Sequence, residues 1–348
     1  MSAREQIIPV FVPHWGCPHA CVFCDQRRIS GQREPAAAET VHTAIAQAAA
    51  LPRTGAKRQL AFYGGSFTAI PAARQEALLE AARQGIEAGA IDSVRLSTRP
   101  DAVDEAVLRR LKAYGVETVE LGAQSMDDGV LHLSGRGHTA ADVERAARLV
   151  KAAGFRLILQ MMTGLPGDTE EKDLATAERL IALQPDGVRI YPTVVVRGTA
   201  LYELWKAGDY REHRVEDAVR VCARLLPLFE AAGIPVIRLG LNPTEKLSGG
   251  EAVAGAYHPA LGELVKSRVL LERARELLRG VEPGSRVTLR VQPEKLSQML
   301  GQRRENVKTL REEFRLSELR VRPDAAGENE LLVETAAPDK SGEIEDYH

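Results

Sequence analysis

The sequence predicts an α/β fold, a partial (βα)6-type barrel followed by a small α+β domain, and two observations carry that expectation. Short apolar runs alternate with amphipathic helical stretches from Ile7 to about Ile237. Strict alternation of strand and helix implies a parallel sheet with right-handed crossovers. The chemically unusual residues, a cysteine cluster and a Gly-Gly pair, fall just after apolar runs, where the carboxyl ends of barrel strands place their chemistry.

In chain order, the expected strands are Ile7–Pro13, Leu60–Tyr63, Ser93–Ser97, Thr118–Leu121, Arg156–Met161, Gly187–Tyr191 and Ile234–Arg238. The helices between them are Thr40–Ala50, Ala73–Ala88, Glu105–Ala113, Ala140–Ala153, Glu170–Leu183 and Val215–Ala232. Several end in Ala-Ala-Gly or Ala-Tyr-Gly, the stop signal of a helix closing on a left-handed glycine. These elements make residues 1–238 the barrel. Residues 239–280 read as a linker or flap rich in Gly, Pro, Ser and Asn, then a long helix, Ala260–Leu278. Residues 281–336 follow as strand (Arg286–Val291), helix (Pro293–Leu300), helix (Glu305–Phe314) and two strands (Leu319–Arg322, Glu330–Glu334). Residues 337–348 are polar and acidic and are expected to be a disordered tail.

Composition bounds the function. A chain of 348 residues with 44% hydrophobic content can bury a large core, and a net charge of −2 gives no global pull toward nucleic acid or an anionic membrane. The N-terminus carries too short an apolar run for a signal peptide, and no run of about 20 apolar residues is present. The chain therefore reads as cytoplasmic, with no membrane partner. Of four cysteines, three lie together at 17, 21 and 24, a pattern of metal or redox chemistry rather than of disulfides.

Cys17, Cys21 and Cys24 sit on one loop after the first strand. Three thiolates can ligate three irons of a 4Fe–4S cluster and leave the fourth open, the mark of a catalytic rather than a structural site. Zinc, with His14 or His19 as a fourth ligand, is the alternative. At the end of the second strand, Gly64 and Gly65 let the backbone approach a ligand closely, and Ser66 and Thr68 add hydroxyls. Cys222, beside Val221, Leu225 and Leu226, reads as a small buried hydrophobe. Met161 and Met162 read as core or pocket wall. His258 begins a helix or belongs to a flap.

CPHACVFC (17–24), GGSFT (64–68), TRPD (98–101), VELGAQSMDDGVLHLSGRGHT (119–139), GLPGDT (164–169) and YPTVVVRGTALYELWKAGDYR (191–211) occur in this order. Together they resemble the radical S-adenosylmethionine (SAM) superfamily, and within it the radical domain of the Elongator catalytic subunit, a tRNA wobble-uridine modifying enzyme. The resemblance covers roughly the first 210 residues. It implies a 4Fe–4S cluster and S-adenosylmethionine as cofactors. It also implies an external one-electron donor of the flavodoxin or ferredoxin type, and reductive cleavage of S-adenosylmethionine to a 5′-deoxyadenosyl radical. On the residues, it implies that Gly64 and Gly65 receive the amino group of S-adenosylmethionine and that Phe23 packs on its adenine. Gln124 would bond the ribose, and Arg136 would pair with the methionine carboxylate. Gln160 falls where related oxygen-independent coproporphyrinogen oxidases place an acidic ribose ligand, and its amide departs from that pattern. Arg197 and Tyr202 would face substrate after the sixth strand; helix-start packing is the alternative.

The Elongator subunit carries an acetyltransferase domain and a tRNA-binding extension that this chain is expected to lack, so an acetyl-coenzyme A reaction on this polypeptide is not expected. Residues 287–322 look like a KH module, the strand–helix–loop–helix–strand unit that clamps single-stranded nucleic acid. Its GXXG loop reads Gly301-Gln302-Arg303-Arg304, with Lys308 one turn on. Gly301, Arg303, Arg304 and Lys308 would contact RNA; a solvated basic helix face is the alternative. The resulting expectation is a radical enzyme acting on tRNA or another RNA. The competing readings are a radical enzyme on a small molecule and a cluster or cofactor chaperone, the last of which would not need Gln124 and Arg136.

Overall fold

A computed structural model of the chain describes residues 5–12, 21–25, 36–53, 55–244, 247–324 and 331–336. Pro13, His14, Cys17, His19 and the tail 337–348 lie outside the described residues. The chain divides into two compact units, residues 1–221 with 228–259 and residues 222–227 with 260–348.

The first unit is built on seven parallel strands in the order β1-β2-β3-β4-β5-β6-β8. They are β1 (Glu5–Phe11), β2 (Lys57–Tyr63), β3 (Ser93–Thr98), β4 (Val116–Gln124), β5 (Arg156–Thr163), β6 (Gly187–Pro192) and β8 (Val236–Leu239). β1 and β8 are the two edges, so the sheet is curled and open, a partial barrel of the expected class. The crossover helices are α1 (Ala38–Ala49), α2 (Ala72–Glu87), α3 (Glu105–Ala113), α5 (Ala140–Ala152), α6 (Glu170–Ala182) and α8 (Val215–Ala231). Two short helices, α4 (Asp128–Leu133) and α7 (Ala200–Ala207), follow β4 and β7 (Val194–Val196).

The helix starts are written in the sequence. Asp104, Asp127, Thr139, Thr169 and Thr199 each accept a backbone N–H of the turn they precede, a cap that contributes about 1 kcal/mol. The Ala-Ala-Gly stop after α5 closes as expected, with Gly154 at φ +74°.

Alternate residues of the strands point to opposite faces. Ile7, Pro9 and Phe11 on β1, Gln160 and Met162 on β5, and Arg189 and Tyr191 on β6 line one internal cavity. The intervening Leu157, Leu159, Val188 and Ile190 therefore face the helices, and all four are fully buried. The segment after β8 belongs to this unit. Its strand β9 (Ala252–Gly255) pairs antiparallel with β7, and Leu241, Asn242, Thr244 and Leu247 join the cavity wall.

The second unit carries α9 (Leu261–Leu278), β10 (Arg286–Val291), α10 (Leu296–Leu300), α11 (Glu305–Glu313), β11 (Glu318–Pro323) and β12 (Leu332–Ala336). β10 is central, parallel to β11 and antiparallel to β12. Its core joins Leu270, Ala274 and Leu278 of α9 to Val287, Leu289, Met299, Leu310 and Leu319.

Candidate active site

A cavity of about 880 Å³ opens at the carboxyl ends of the parallel strands. Cys21, Phe23, Cys24, Gly64, Gly65, Ser66, Gln124, Arg136 and Gln160 all line it. The parallel sheet brings these five stretches, far apart in the sequence, to one strand-end rim. Cys17 lies outside the described residues, and Arg197 and Tyr202 are not part of the lining.

Cys21 and Cys24 form one tight turn, closed by the Cys24 N–H donating to the Cys21 carbonyl at 3.0 Å, and both are half-buried. The loop is pinned from two sides at Val22. Its N–H donates to the Ser134 carbonyl at 3.1 Å, and its carbonyl accepts the Leu201 N–H, the first turn of α7, at 2.7 Å. Phe23 packs with Val130, Met162, Leu165 and Tyr191, which leaves it on the cavity wall.

At the end of β2, Gly64 takes φ +90°, a conformation that only glycine adopts without strain. Ser66 and Thr68 are buried, and their hydroxyls are committed to the neighbouring strand end. Ser66 Oγ lies 3.0 Å from Thr98 Oγ1 and accepts the Arg99 N–H at 3.1 Å. Thr68 Oγ1 lies 2.5 Å from Thr98 Oγ1 and donates to the Ala102 carbonyl at 2.6 Å. These hydroxyls shape the rim by tying GGSFT to TRPD.

Arg136 is 7% exposed. Its Nη2 donates to the Gly122 carbonyl at 2.7 Å and its Nη1 to Cys21 Sγ at 3.4 Å. Its carbonyl accepts from Arg99 Nη2, and Arg99 is held by Asp101 at 2.9 Å. The Nε of Arg136 and Nη1 of Arg99 are buried with no partner among the described residues. Unpaired donors on a guanidinium that reaches the Cys21 thiol fit an anionic occupant, because an unpaired buried donor is otherwise costly. Gly122 keeps the space open: a Cβ there would stand 2.8 Å from Gln124 Nε2 and 3.2 Å from Arg136 Nη2. Gln124, at φ +67°, receives an N–H from Gln160 Nε2 at 3.1 Å. Two thiols on one turn, a glycine rim, bare guanidinium donors and paired amides fit a 4Fe–4S cluster with S-adenosylmethionine, and Cys17 would supply the third thiolate.

Sequence reasoning missed a polar cluster on the inner wall. The Tyr63 hydroxyl donates to Glu120 Oε1 at 2.9 Å, and Arg189 Nη2 donates to the Tyr63 oxygen at 2.8 Å. Arg189 Nη1 donates to the Tyr191 oxygen at 3.1 Å, and Arg95 lies 3.4 Å from Glu120. Burial first, then the Glu120 carboxylate, holds the Tyr63 phenol well above the usual range. The signal was present as Arg189 and Tyr191 at alternate positions within an apolar strand. The exposed Arg197 guanidinium instead stands 5.9 Å from the Tyr202 ring on the α7 side.

Residues 12–180 match the radical SAM superfamily and residues 185–270 the radical SAM C-terminal domain. Human Elongator complex protein 3 is 38% identical over 138 residues, 39% of this chain and 25% of the relative. A tRNA uridine(34) acetyltransferase of Methanocaldococcus jannaschii is 28% identical over 255 residues, 62% of this chain and 47% of the relative. The chain thus spans about a quarter to a half of the length of these curated relatives. Among solved structures, the archaeal Methanocaldococcus infernus Elp3 lacking its N-terminal residues superposes with a TM-score of 0.61 at 24% identity, covering 82% of this chain and 67% of that one. Escherichia coli coproporphyrinogen III oxidase gives 0.50 at 19%, covering 66% and 53%. No described helix is long and apolar enough to cross a membrane.

Proposed function

The chain belongs to the radical SAM superfamily and is an enzyme, and from that premise we propose that it cleaves S-adenosylmethionine reductively to modify tRNA. One observation carries the reading: a single cavity collects Cys21, Cys24, the Gly64-Gly65 rim, Gln124, Arg136 and Gln160. Cys21 and Cys24, with Cys17, would hold a 4Fe–4S cluster, and such a group would supply the electron for reductive cleavage of the sulfonium bond. The protein's own residues hold the reactants. Gly64 and Gly65 take the amino end of S-adenosylmethionine, Gln124 and Gln160 the ribose, and Phe23 covers the adenine. Arg136 meets the anionic end with a charge-assisted bond. Met162, Tyr191, Val194 and Val196 complete an apolar wall that excludes water.

The choice of tRNA is supported by the relatives, which are named for Elongator and for tRNA uridine(34) acetylation. The C-terminal unit supports it as well. A groove of about 930 Å³ there is lined by Arg286, Arg304, Lys308, Arg311 and Arg320 against Glu312 and Glu318, an arrangement suited to phosphate. A cytoplasmic enzyme fed by a flavodoxin- or ferredoxin-type donor completes the reading. The test is mass spectrometry of tRNA nucleosides from cells with and without the gene. Loss of one modified nucleoside is expected; identical profiles would move a small-molecule substrate to first place.

A further inference from the structure

Arg136 presents a physical problem that the cofactor-binding role alone leaves unsolved. Its guanidinium is nine-tenths buried, yet no carboxylate lies within ion-pair distance of it among the described residues. An isolated buried cation is strongly unfavourable unless an anion completes the site. Nor is the side chain free to wait for a ligand. Its guanidinium is held by the bond to the Gly122 carbonyl, and its backbone by Arg99 on its own carbonyl and by its N–H donating to the Leu131 carbonyl at 3.0 Å. In that locked position Nη1 points at Cys21 Sγ, 3.4 Å away.

We propose that Arg136 is a positioning residue for the redox state of the cluster, its N–H···S bond to Cys21 raising the reduction potential. This rests on the reading of Cys17, Cys21 and Cys24 as cluster ligands. Reduction of the cluster adds one electron, with no proton taken up and no bond broken. The added charge spreads onto the ligating sulfurs, so a fixed cation donating to one of them stabilises the reduced state more than the oxidised one. Hydrogen bonds to sulfur and local charge are the levers by which proteins set such potentials. Burial keeps the interaction unscreened, so salt alters it little. The two-sided anchoring of Val22 by Ser134 and Leu201 keeps the Cys21 sulfur in reach of the guanidinium. The same charge can still meet a methionine carboxylate, but the bond to sulfur is made without one.

The experiment is a spectroelectrochemical titration of the full-length, cluster-loaded protein in the absence of S-adenosylmethionine, with iron content measured on every sample. Arg136→Gln is expected to lower the midpoint, reducing the ratio of reduced to oxidised cluster at the parent's midpoint about tenfold, equivalent to about 59 mV for one electron. Arg136→Lys retains the charge but not the fork that spans Cys21 and Gly122, and is expected to show about a threefold loss. If the glutamine variant does not hold iron, the lysine variant decides the matter. A parent midpoint retained in whichever variants hold the cluster overturns the proposal, even where their affinity for S-adenosylmethionine falls, because that would confine Arg136 to carboxylate binding. A parent that binds no iron overturns the cluster reading itself, and this inference with it.

Discussion

Gln160 Nε2 donates to Gln124 Oε1 across the ends of β5 and β4 at 3.1 Å. The two amides therefore act as one unit, and the departure from an acid at position 160 has a local logic. An amide can donate to Gln124 and still offer its carbonyl to a hydroxyl. Gln160→Glu is expected to be tolerated, because Gln124 can turn its amide and donate instead, and Arg189 is the register neighbour on β6. Affinity for S-adenosylmethionine, measured by calorimetry, should stay within about threefold of the parent. Gln160→Ala should weaken it by about 1 kcal/mol, since Gln124 loses its anchor. Equal affinities for all three proteins would remove the pair from the ribose site.

Metal content tests the thiol triad. Anaerobically reconstituted protein is expected to bind about four irons per chain and to absorb broadly, and Cys17→Ala, Cys21→Ala or Cys24→Ala should each abolish this. Cys222→Ala should not, since that thiol is fully buried. Stoichiometric zinc in place of iron would reverse the assignment.

Gly122 separates binding from folding. A methyl group there crowds the side-chain ends of Gln124 and Arg136 and touches the Thr98 carbonyl at 3.8 Å. Gly122→Ala should lower urea stability by about 1 kcal/mol, since Gln124 and Arg136 must shift from their bonds while the apolar core is untouched. Affinity for S-adenosylmethionine should drop roughly tenfold, the cost of displacing one charge-assisted bond. A variant that binds normally would show that the cradle is wider than the packing implies.

The expected strand–helix alternation matched the observed sheet because strands buried on both faces read as apolar runs. The reach of β4 to Gln124 was not legible, since Gly122 and Ser125 look like a turn when no partner strand is known. Ser66 and Thr68 could be placed at a strand end, but their partner Thr98 is supplied by tertiary structure. Arg189 and Glu120 carry no local signal of their role, because a charged residue in an apolar run does not announce whether it faces a cavity or solvent. The β7–β9 ribbon pairs residues more than fifty positions apart, and no local pattern reports that.

His138 provides a pH signature. Its Nε2 lies 3.1 Å from the Ala123 carbonyl, and its Nδ1 has no partner. Burial, then the Arg136 charge, pushes its pKa down to about 4. The folded state stays neutral while the unfolded state takes up a proton near pH 6.5. The His138 contribution to stability is therefore constant above about pH 6.5 and is lost as pH drops toward 4, by about 3 kcal/mol. His138→Gln keeps a donor for Ala123 and removes the titration. Urea unfolding of both proteins at pH 7.5 and 4.5 should show the parent losing more stability than the variant; equal losses would mean that His138 is protonated in the fold.

Arg303 and Arg304 follow Gly301 with φ of +51° and +61°, two successive non-glycine residues in the left-handed region. That conformation costs about 1 kcal/mol or more per residue and presents both guanidiniums to solvent at the start of α11. Arg304 occupies the place of the second glycine of a GXXG loop, and its backbone already takes the conformation a glycine would. Arg304→Gly is therefore expected to raise stability by about 0.5–1 kcal/mol and to preserve or strengthen RNA binding. Gly301 is not exchangeable in the same way, because a Cβ there would stand 2.9 Å from Asn306 Cγ, whose amide is bonded to Ser267 at 2.9 Å. Replacing Arg303, Arg304 and Lys308 together by Ala should flatten the dependence of log affinity for tRNA on log salt by roughly two to three units if all three meet phosphates. Uncoupled cleavage of S-adenosylmethionine should be unchanged, since it belongs to the barrel cavity. A triple variant with the parent's salt slope would make the groove a solvated face and leave the barrel mouth as the surface that meets RNA.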